Sequence, residues 1–148
     1  MKVYKSRRDW IYSSIYFIIT ILLCSSVISS FFDEDLTWLS WLIMVFISAG
    51  INILVLISFF FIKIKIKNEE LIVNIIFDIF RINIFKITKI RIGETMWSGF
   101  NKCGTAMGGL IIFSKNKNDL YITPENQDEF LEELLKVNSH IIIENVRK

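Results

Sequence analysis

Charged residues are missing from two long stretches near the start of this 148-residue chain. Residues 10–32 and residues 36–62 contain no Asp, Glu, Lys, Arg or His, and each stretch is longer than the ~20 residues that a helix needs to cross a bilayer. We therefore expect a transmembrane helical hairpin, with the acidic triplet at 33–35 as its outer turn. Transport of ions or protons is disfavoured, because it usually requires ionisable groups within the spans.

Histidine and cysteine are almost as scarce, and this excludes most kinds of active site. The one histidine, His140, has no cysteine or acidic pair at ligand spacing, and the two cysteines are scattered. We therefore expect no enzyme, no metal and no cofactor. Cys24 falls in the first apolar stretch and Cys103 in the polar part, and two unpaired thiols fit a reducing compartment. A net charge of +2 gives no field directed at nucleic acid.

The basic residues cluster beside the two apolar stretches. They precede the first stretch and follow the second: Lys2, Lys5, Arg7 and Arg8, then Lys63, Lys65 and Lys67. Because basic flanks stay in the cytoplasm, we expect a multi-pass protein of the cell membrane with two spans and both termini cytoplasmic. The lipid bilayer is then a partner. The predicted domains are residues 1–62, a basic segment with the hairpin, and residues 63–148, a small cytoplasmic domain.

Hydrophobicity alternates with a period of two after the hairpin. Residues 62–67 read Ile-Lys-Ile-Lys-Ile-Lys, which predicts a strand with its isoleucines on one face. Similar runs predict strands at 71–77, 81–85, 87–92, 110–113 and 120–122, with turns at 68–70, Asp78 and 115–119. The last predicted element is an amphipathic helix, capped by Thr123 with Pro124 in its first turn. The predicted fold class is membrane α+β: a transmembrane helical hairpin, a small antiparallel β-domain and a C-terminal capping helix.

Four stretches carry a resemblance to a known family. They are residues 3–10 (VYKSRRDW), 66–73 (IKNEELIV), 81–90 (RINIFKITKI) and 120–130, where LYITP is followed by DEF. In this order they resemble small bacterial membrane proteins with a YyaB-like bacterial pleckstrin-homology (PH) domain, and they imply a PH-like topology for the β-domain. An Asp-Arg pair that many members carry before the fifth strand is absent, since residues 102–109 read KCGTAMGG.

The resemblance also implies a function. One protein of this kind protects the producer of the glycosylated bacteriocin sublancin. By resemblance, we expect a non-enzymatic, membrane-anchored bacteriocin immunity protein, which confers antibiotic resistance by masking a membrane target or capturing the toxin. The alternative is a membrane-tethered PH-like adaptor that binds a cytoplasmic partner or a lipid headgroup. A third interpretation is an auxiliary subunit of a membrane enzyme or transporter.

Two groups of residues are candidate interaction sites. The glycine-rich stretch at 96–107 carries four large apolar side chains, which suit protein contacts or the membrane interface: Met96, Trp97, Phe100 and Met107. The structural alternative is a strand connection that needs glycine for its backbone. A weaker candidate is a lipid headgroup site of Arg81, Lys86, Lys89 and Arg91, whose structural alternative is the solvated face of a strand.

Overall fold

A computed structural model describes residues 1–33, 36–97, 99, 101–115 and 117–146. The chain forms two compact units. The helical unit is Ser13–Phe60, and the sheet unit is Met1–Tyr12 together with Phe61–Lys148. The pattern of charge and hydropathy predicts that residues 1–12 belong with the hairpin, within the domain expected at 1–62. They pack in the sheet unit instead, because residues 2–5 supply a strand and residues 6–9 bind a loop of the domain.

The helical unit contains two apolar helices, α1 (Trp10–Ser30) and α2 (Trp38–Phe60), except for the first three residues of α1. Their mean hydropathy is 2.1 and 2.6, so both are long and apolar enough to cross a membrane. Only 6% and 11% of their most apolar windows are buried, so neither helix is enclosed as a core helix would be. The Ser48 hydroxyl donates to the Leu23 carbonyl at 3.3 Å, which joins the two helices through a small polar side chain.

The sheet unit contains two sheets of four strands among its described residues. The first has the order β1-β2-β3-β4 and consists of β1 (Lys2–Lys5), β2 (Lys63–Lys67), β3 (Glu70–Asn74) and β4 (Asp78–Asn83). The second has the order β7-β6-β5-β8 and consists of β5 (Ile87–Glu94), β6 (Gly109–Ser114), β7 (Lys117–Ile122) and β8 (Ile142–Asn145). Helix α3 (Gln127–Val137) lies between β7 and β8 in the chain. All strand pairs are antiparallel except β5 with β8.

One hydrophobic core unites both sheets and α3. The alternation of β2 buries Ile64 completely and leaves Lys63 exposed, as the period-two pattern predicts. Helix α3 contributes Phe130 and Leu134, both fully buried. The ring of Tyr4, from β1, meets the ring of Phe130 edge-on at 5.3 Å, so β1 belongs to the same core. The predicted order of two long apolar helices, antiparallel strands and a covering helix is confirmed.

Several local features differ from the sequence prediction, and β7, for example, begins at Lys117, inside the turn expected at 115–119. Asp78 begins β4 and does not mark a turn, because the bend lies at residues 75–77. Residues 84–86 form a 3-10 turn where a strand was expected, since the Asn83 side chain accepts the N–H of Phe85. The chain continues after α3 into β8, which the sequence analysis missed. A four-residue strand that pairs with a distant partner leaves little local pattern.

Candidate functional site

The connection between β5 and β6, residues 95–108, contains the apolar candidate site. Trp97 is 64% exposed, and Met96 and Met107 are partly buried. Phe100 lies outside the described residues. Trp97 is therefore the large apolar side chain of the described part of this loop that is most available to a partner.

A lysine links Trp97 to the start of α1. The Lys102 ammonium lies 4.8 Å from the ring centroid of Tyr12 and 5.7 Å from that of Trp97. A cation within about 6 Å of an aromatic ring is attracted to it, and such a contact contributes about 0.5–1 kcal/mol at an exposed site. Trp97 therefore has a preferred position although most of its surface faces solvent. The result is an apolar surface with one positive charge at its edge.

Residues 6–9, the N-terminal brace, hold the other half of the loop. The Arg7 guanidinium donates to the carbonyl of Met107. One oxygen of the Asp9 carboxylate accepts the N–H of Met107 at 2.6 Å, and the other accepts the N–H of Tyr12 at 2.9 Å. Asp9 therefore caps the first turn of α1 and fixes the loop at the same time.

Three buried hydroxyl groups join the brace to the sheet. Ser6 Oγ lies 2.8 Å from Thr105 Oγ1 and 2.9 Å from Thr123 Oγ1. The Thr105 hydroxyl donates to the Arg7 carbonyl at 2.8 Å, while the Arg7 N–H donates to the Thr123 carbonyl at 2.6 Å. A buried hydroxyl left without a partner costs about 1–3 kcal/mol, so the cluster resists separation. The prediction that Thr123 caps α3 is wrong, because its hydroxyl is used here and α3 begins at Gln127.

The glycines of this loop make room for one aromatic ring. A Cβ on Gly104 would lie 2.5 Å from the Tyr121 ring, and one on Gly109 would lie 2.9 Å from its opposite edge. Tyr121 is fully buried, and its hydroxyl donates to the Ala106 carbonyl at 2.6 Å. Gly108 has a φ of 61°, so backbone freedom is needed there as well. The glycine-rich composition therefore serves both packing and chain reversal.

Sequence reasoning missed the brace because Arg7 and Arg8 were counted only as basic flanks of a membrane span. The available signal was Asp9, a single carboxylate placed directly before an apolar run. Aspartate is a preferred residue at the N-cap of a helix. A negative charge at this position is not explained by a basic flank of a membrane span. Ser6, with one hydroxyl, gave no signal, since its partners are about 100 residues away in the chain.

The weaker candidate set is spread over three elements: Arg81 on β4, Lys86 at the end of the 3-10 turn, and Lys89 and Arg91 on β5. Glu144 of β8 lies 3.3 Å from Lys89 and 3.2 Å from Arg91, and Glu94 lies 2.8 Å from Arg91. These carboxylates, Glu94 first, raise the pKa of Arg91, and Arg91 in turn lowers the pKa of Glu144. Two cations and two anions leave little net charge on this face. A headgroup site built from all four basic residues stays a prediction.

The side chains with reactive chemistry lie apart from one another. The described residues contain no group of three or more His, Cys, Asp and Glu that could hold a metal ion. Burial raises the pKa of Cys103 to about 11, so its thiol is protonated and unreactive at neutral pH. His140 lies in the turn after α3, where its N–H bonds to the Asn138 side chain at 3.1 Å.

Two four-stranded sheets and one amphipathic helix share a hydrophobic core, and the chain also contains two apolar helices. These features define the class of protein: a PH-like domain with a helical hairpin. The "Bacterial PH domain" family model matches residues 62–138, more than half of the chain, from β2 to the end of α3. The chain therefore belongs to the bacterial PH domain family, and its PH-like fold class is confirmed.

A curated relative extends the similarity beyond the domain. The chain is 26% identical over 141 residues to the "Uncharacterized protein YyaB" of Bacillus subtilis (strain 168). The alignment covers 95% of this chain and 96% of the relative, so it includes the region of the hairpin. No solved structure matches the chain.

Proposed function

We propose that this chain is a non-enzymatic, membrane-anchored binding protein and that its biological role is bacteriocin immunity. The observation that supports binding is found in the loop at 95–108. Trp97 is exposed in one half of this loop, while the brace holds the other half in place through its bonds to Met107. A large aromatic side chain on a preorganised loop binds with a small loss of conformational entropy. The PH fold is a non-catalytic fold, which fits this proposal.

The pairing of β1 with β2 supports the proposed topology. β1 precedes α1, β2 follows α2, and Lys5 pairs with Lys63 in the antiparallel register of the two strands. Two strands of one sheet must lie on the same side of a membrane. The helices α1 and α2 therefore cross it together as a pair or not at all. With the basic flanks, this favours a cell-membrane protein whose two termini are both cytoplasmic.

Bacteriocin immunity is supported by the resemblance of the whole chain, including its opening residues 3–10, to small membrane proteins with this domain. The structure gives those opening residues a physical reason, since Ser6, Arg7 and Asp9 form the brace. For a non-enzymatic protein, protection is stoichiometric. The protein either masks a membrane target or captures the toxin, and Trp97 is the first side chain to test.

A survival assay tests this proposal. The full chain is expressed in a bacteriocin-sensitive Gram-positive strain, which is challenged with sublancin and, separately, with an unrelated membrane-active toxin. We expect selective survival with sublancin, its loss in Trp97→Ala, and its retention in Phe85→Ala, a matched exposed aromatic residue on the 3-10 turn. Unchanged sensitivity, with the protein present in the membrane fraction, contradicts the immunity role.

The membrane-tethered adaptor is the second candidate function, and the position of Lys102 between two aromatic rings favours it. An apolar surface edged by a cation suits a partner that offers both an apolar and an acidic group. A photo-crosslinking amino acid in place of Trp97 tests this in cells without bacteriocin. A single discrete crosslinked protein or lipid species supports the adaptor, and the same substitution at Phe85 is the control for random collisions.

A further inference from the structure

The bend between β3 and β4 exposes an unusually apolar tip on the sheet unit. Ile76 is 65% exposed and Phe77 is 71% exposed, and the neighbouring Ile79 is exposed as well. These side chains adjoin one another in the chain and contribute nothing to the core. Clustered exposed apolar side chains on a soluble domain mark a surface that contacts a partner or a membrane.

The register of the first sheet places this tip beside the exit of the chain from α2. Lys63 of β2 pairs with Asn74, the last residue of β3, and α2 ends at Phe60. The bend at residues 75–77 directly follows Asn74, so the tip lies at the end of the sheet where β2 begins, shortly after α2 ends. The opposite end of the same strands, where Lys67 pairs with Glu70, points away from this exit.

Positive charge adjoins the tip on the outward face of the same sheet, together with one anion, since Asp78 lies between Phe77 and Ile79 and pairs with Arg81 at 2.7 Å. Side chains alternate along a strand, so Lys63 and Lys65 share one face of β2, and Ile79 and Arg81 share one face of β4. Lys65 and Arg81 both pair across to Ile72, which places them on the same side of the sheet. Basic side chains behind an apolar tip are the arrangement of a segment that enters the interface of an anionic membrane.

We propose that the tip formed by Ile76, Phe77 and Ile79 inserts into the interface of the bilayer crossed by α1 and α2. Lys63 and Lys65 then face the lipid headgroups, while Arg81 stays paired with Asp78. This inference rests on the membrane anchoring proposed above, and it adds a lipid-binding surface that is separate from the Trp97 loop. The domain is thereby held at the membrane by its tip as well as by its two covalent connections to the hairpin. The occupant is lipid, because the tip lies at the end of the sheet where the chain arrives from α2, and the lysines Lys63 and Lys65 on the outward face suit anionic headgroups.

Site-specific fluorescence on the full chain in vesicles tests the proposal. An environment-sensitive nitrobenzoxadiazole probe is attached to Ile76→Cys in a Cys24→Ser background, and Cys103 is retained because it is buried. The matched control carries the probe at Lys67→Cys, at the opposite end of β2. Vesicles contain phosphatidylcholine alone or with phosphatidylglycerol, and spin-labelled lipids serve as quenchers.

We expect blue-shifted emission and quenching by the spin-labelled lipids at position 76, stronger with phosphatidylglycerol, and neither effect at position 67. Phe77→Ser in the Ile76→Cys background should lower the ratio of inserted to free tip by at least about tenfold, because the exposed ring supplies much of the apolar surface that is transferred. Phe77 is exposed, so this substitution leaves the core intact.

Flotation of the same vesicles separates the two proposals. Protein that floats with the vesicles and resists extraction at alkaline pH, yet shows equal quenching at positions 76 and 67, overturns tip insertion and leaves the anchoring intact. Protein that does not float overturns the anchoring and, with it, tip insertion. Quenching at position 76 that is insensitive to Phe77→Ser also overturns the proposal, since it shows that the probe alone enters the lipid.

Discussion

Asp9→Asn should release the loop at Met107 and spare the start of α1. The carboxylate accepts two backbone N–H groups, at 2.6 Å from Met107 and 2.9 Å from Tyr12. A hydrogen bond to a charged group contributes about 1.5–3 kcal/mol, whereas Asn offers one neutral oxygen and an amide group that repels the second N–H. Because Asn caps helices as well as Asp does, the bond to Tyr12 is kept and the loss falls on Met107.

The expected loss is about 2 kcal/mol in the local opening free energy at Met107, which corresponds to about 30-fold faster amide hydrogen exchange. Selective labelling with ¹⁵N-methionine isolates this amide in a chain with four methionines, and ¹⁵N-tyrosine labelling reports on Tyr12 in the same way. Asp128→Asn, the same change at an exposed carboxylate of α3, is the control. Unchanged exchange at Met107, or equal acceleration at both amides, refutes the assignment of Asp9 to the loop.

Three further perturbations follow from backbone geometry and burial. Glu69→Gly should raise the free energy of unfolding by about 1 kcal/mol, because Glu69 has a φ of 62° that a side chain disfavours; a lower thermal midpoint contradicts this. Gly104→Ala should destabilise the protein by about 1–3 kcal/mol, because the added Cβ would meet the Tyr121 ring. Gly50→Ala should be tolerated, because nothing lies within 4 Å of its Cβ position. Equal thermal midpoints for the two variants contradict the packing argument. Burial raises the pKa of Cys103 from 9.0 to about 11, so the folded state keeps a proton that the unfolded state loses. Cys103 should therefore contribute fully to stability below pH 9 and lose about 2–3 kcal/mol of that contribution as the pH rises to 11, so denaturant titrations of Cys103→Ala should show a smaller fall, since buried tyrosines also have a raised pKa.

The hairpin and most of the strands could be predicted from the sequence because each leaves a local pattern. The uncharged stretches and the alternation of residues 62–67 are readable without knowledge of any partner. The strand β1 was not predicted, since its four residues pair with a strand that lies beyond the whole hairpin. Its lysines look like a membrane flank when read along the chain alone.

The start of α3 was misplaced for a related reason. The Thr-Pro pair at 123–124 is a good local signal for a helix start, but a tertiary contact with Ser6 recruits the Thr123 hydroxyl. The candidate loop was predictable only as a composition, rich in glycine, methionine and aromatic residues. Which of its residues are held and which are exposed depends on the brace, whose contacts span about 100 residues of sequence. The role of Trp97 in binding stays a prediction.

The strand β1 leaves the ribosome before both helices, but its partner β2 follows them. During synthesis β1 has no neighbour in its sheet until the second helix is complete. If α1 and α2 cross a membrane as proposed, a chain that inserts only one of them leaves β1 and β2 on opposite faces of the bilayer. Such a chain cannot close the sheet, and the side chains that Tyr4 covers, Phe130 among them, stay accessible to proteases and chaperones. Under that proposal, the sheet can close only after both helices have been inserted, so a folded domain reports that insertion is complete.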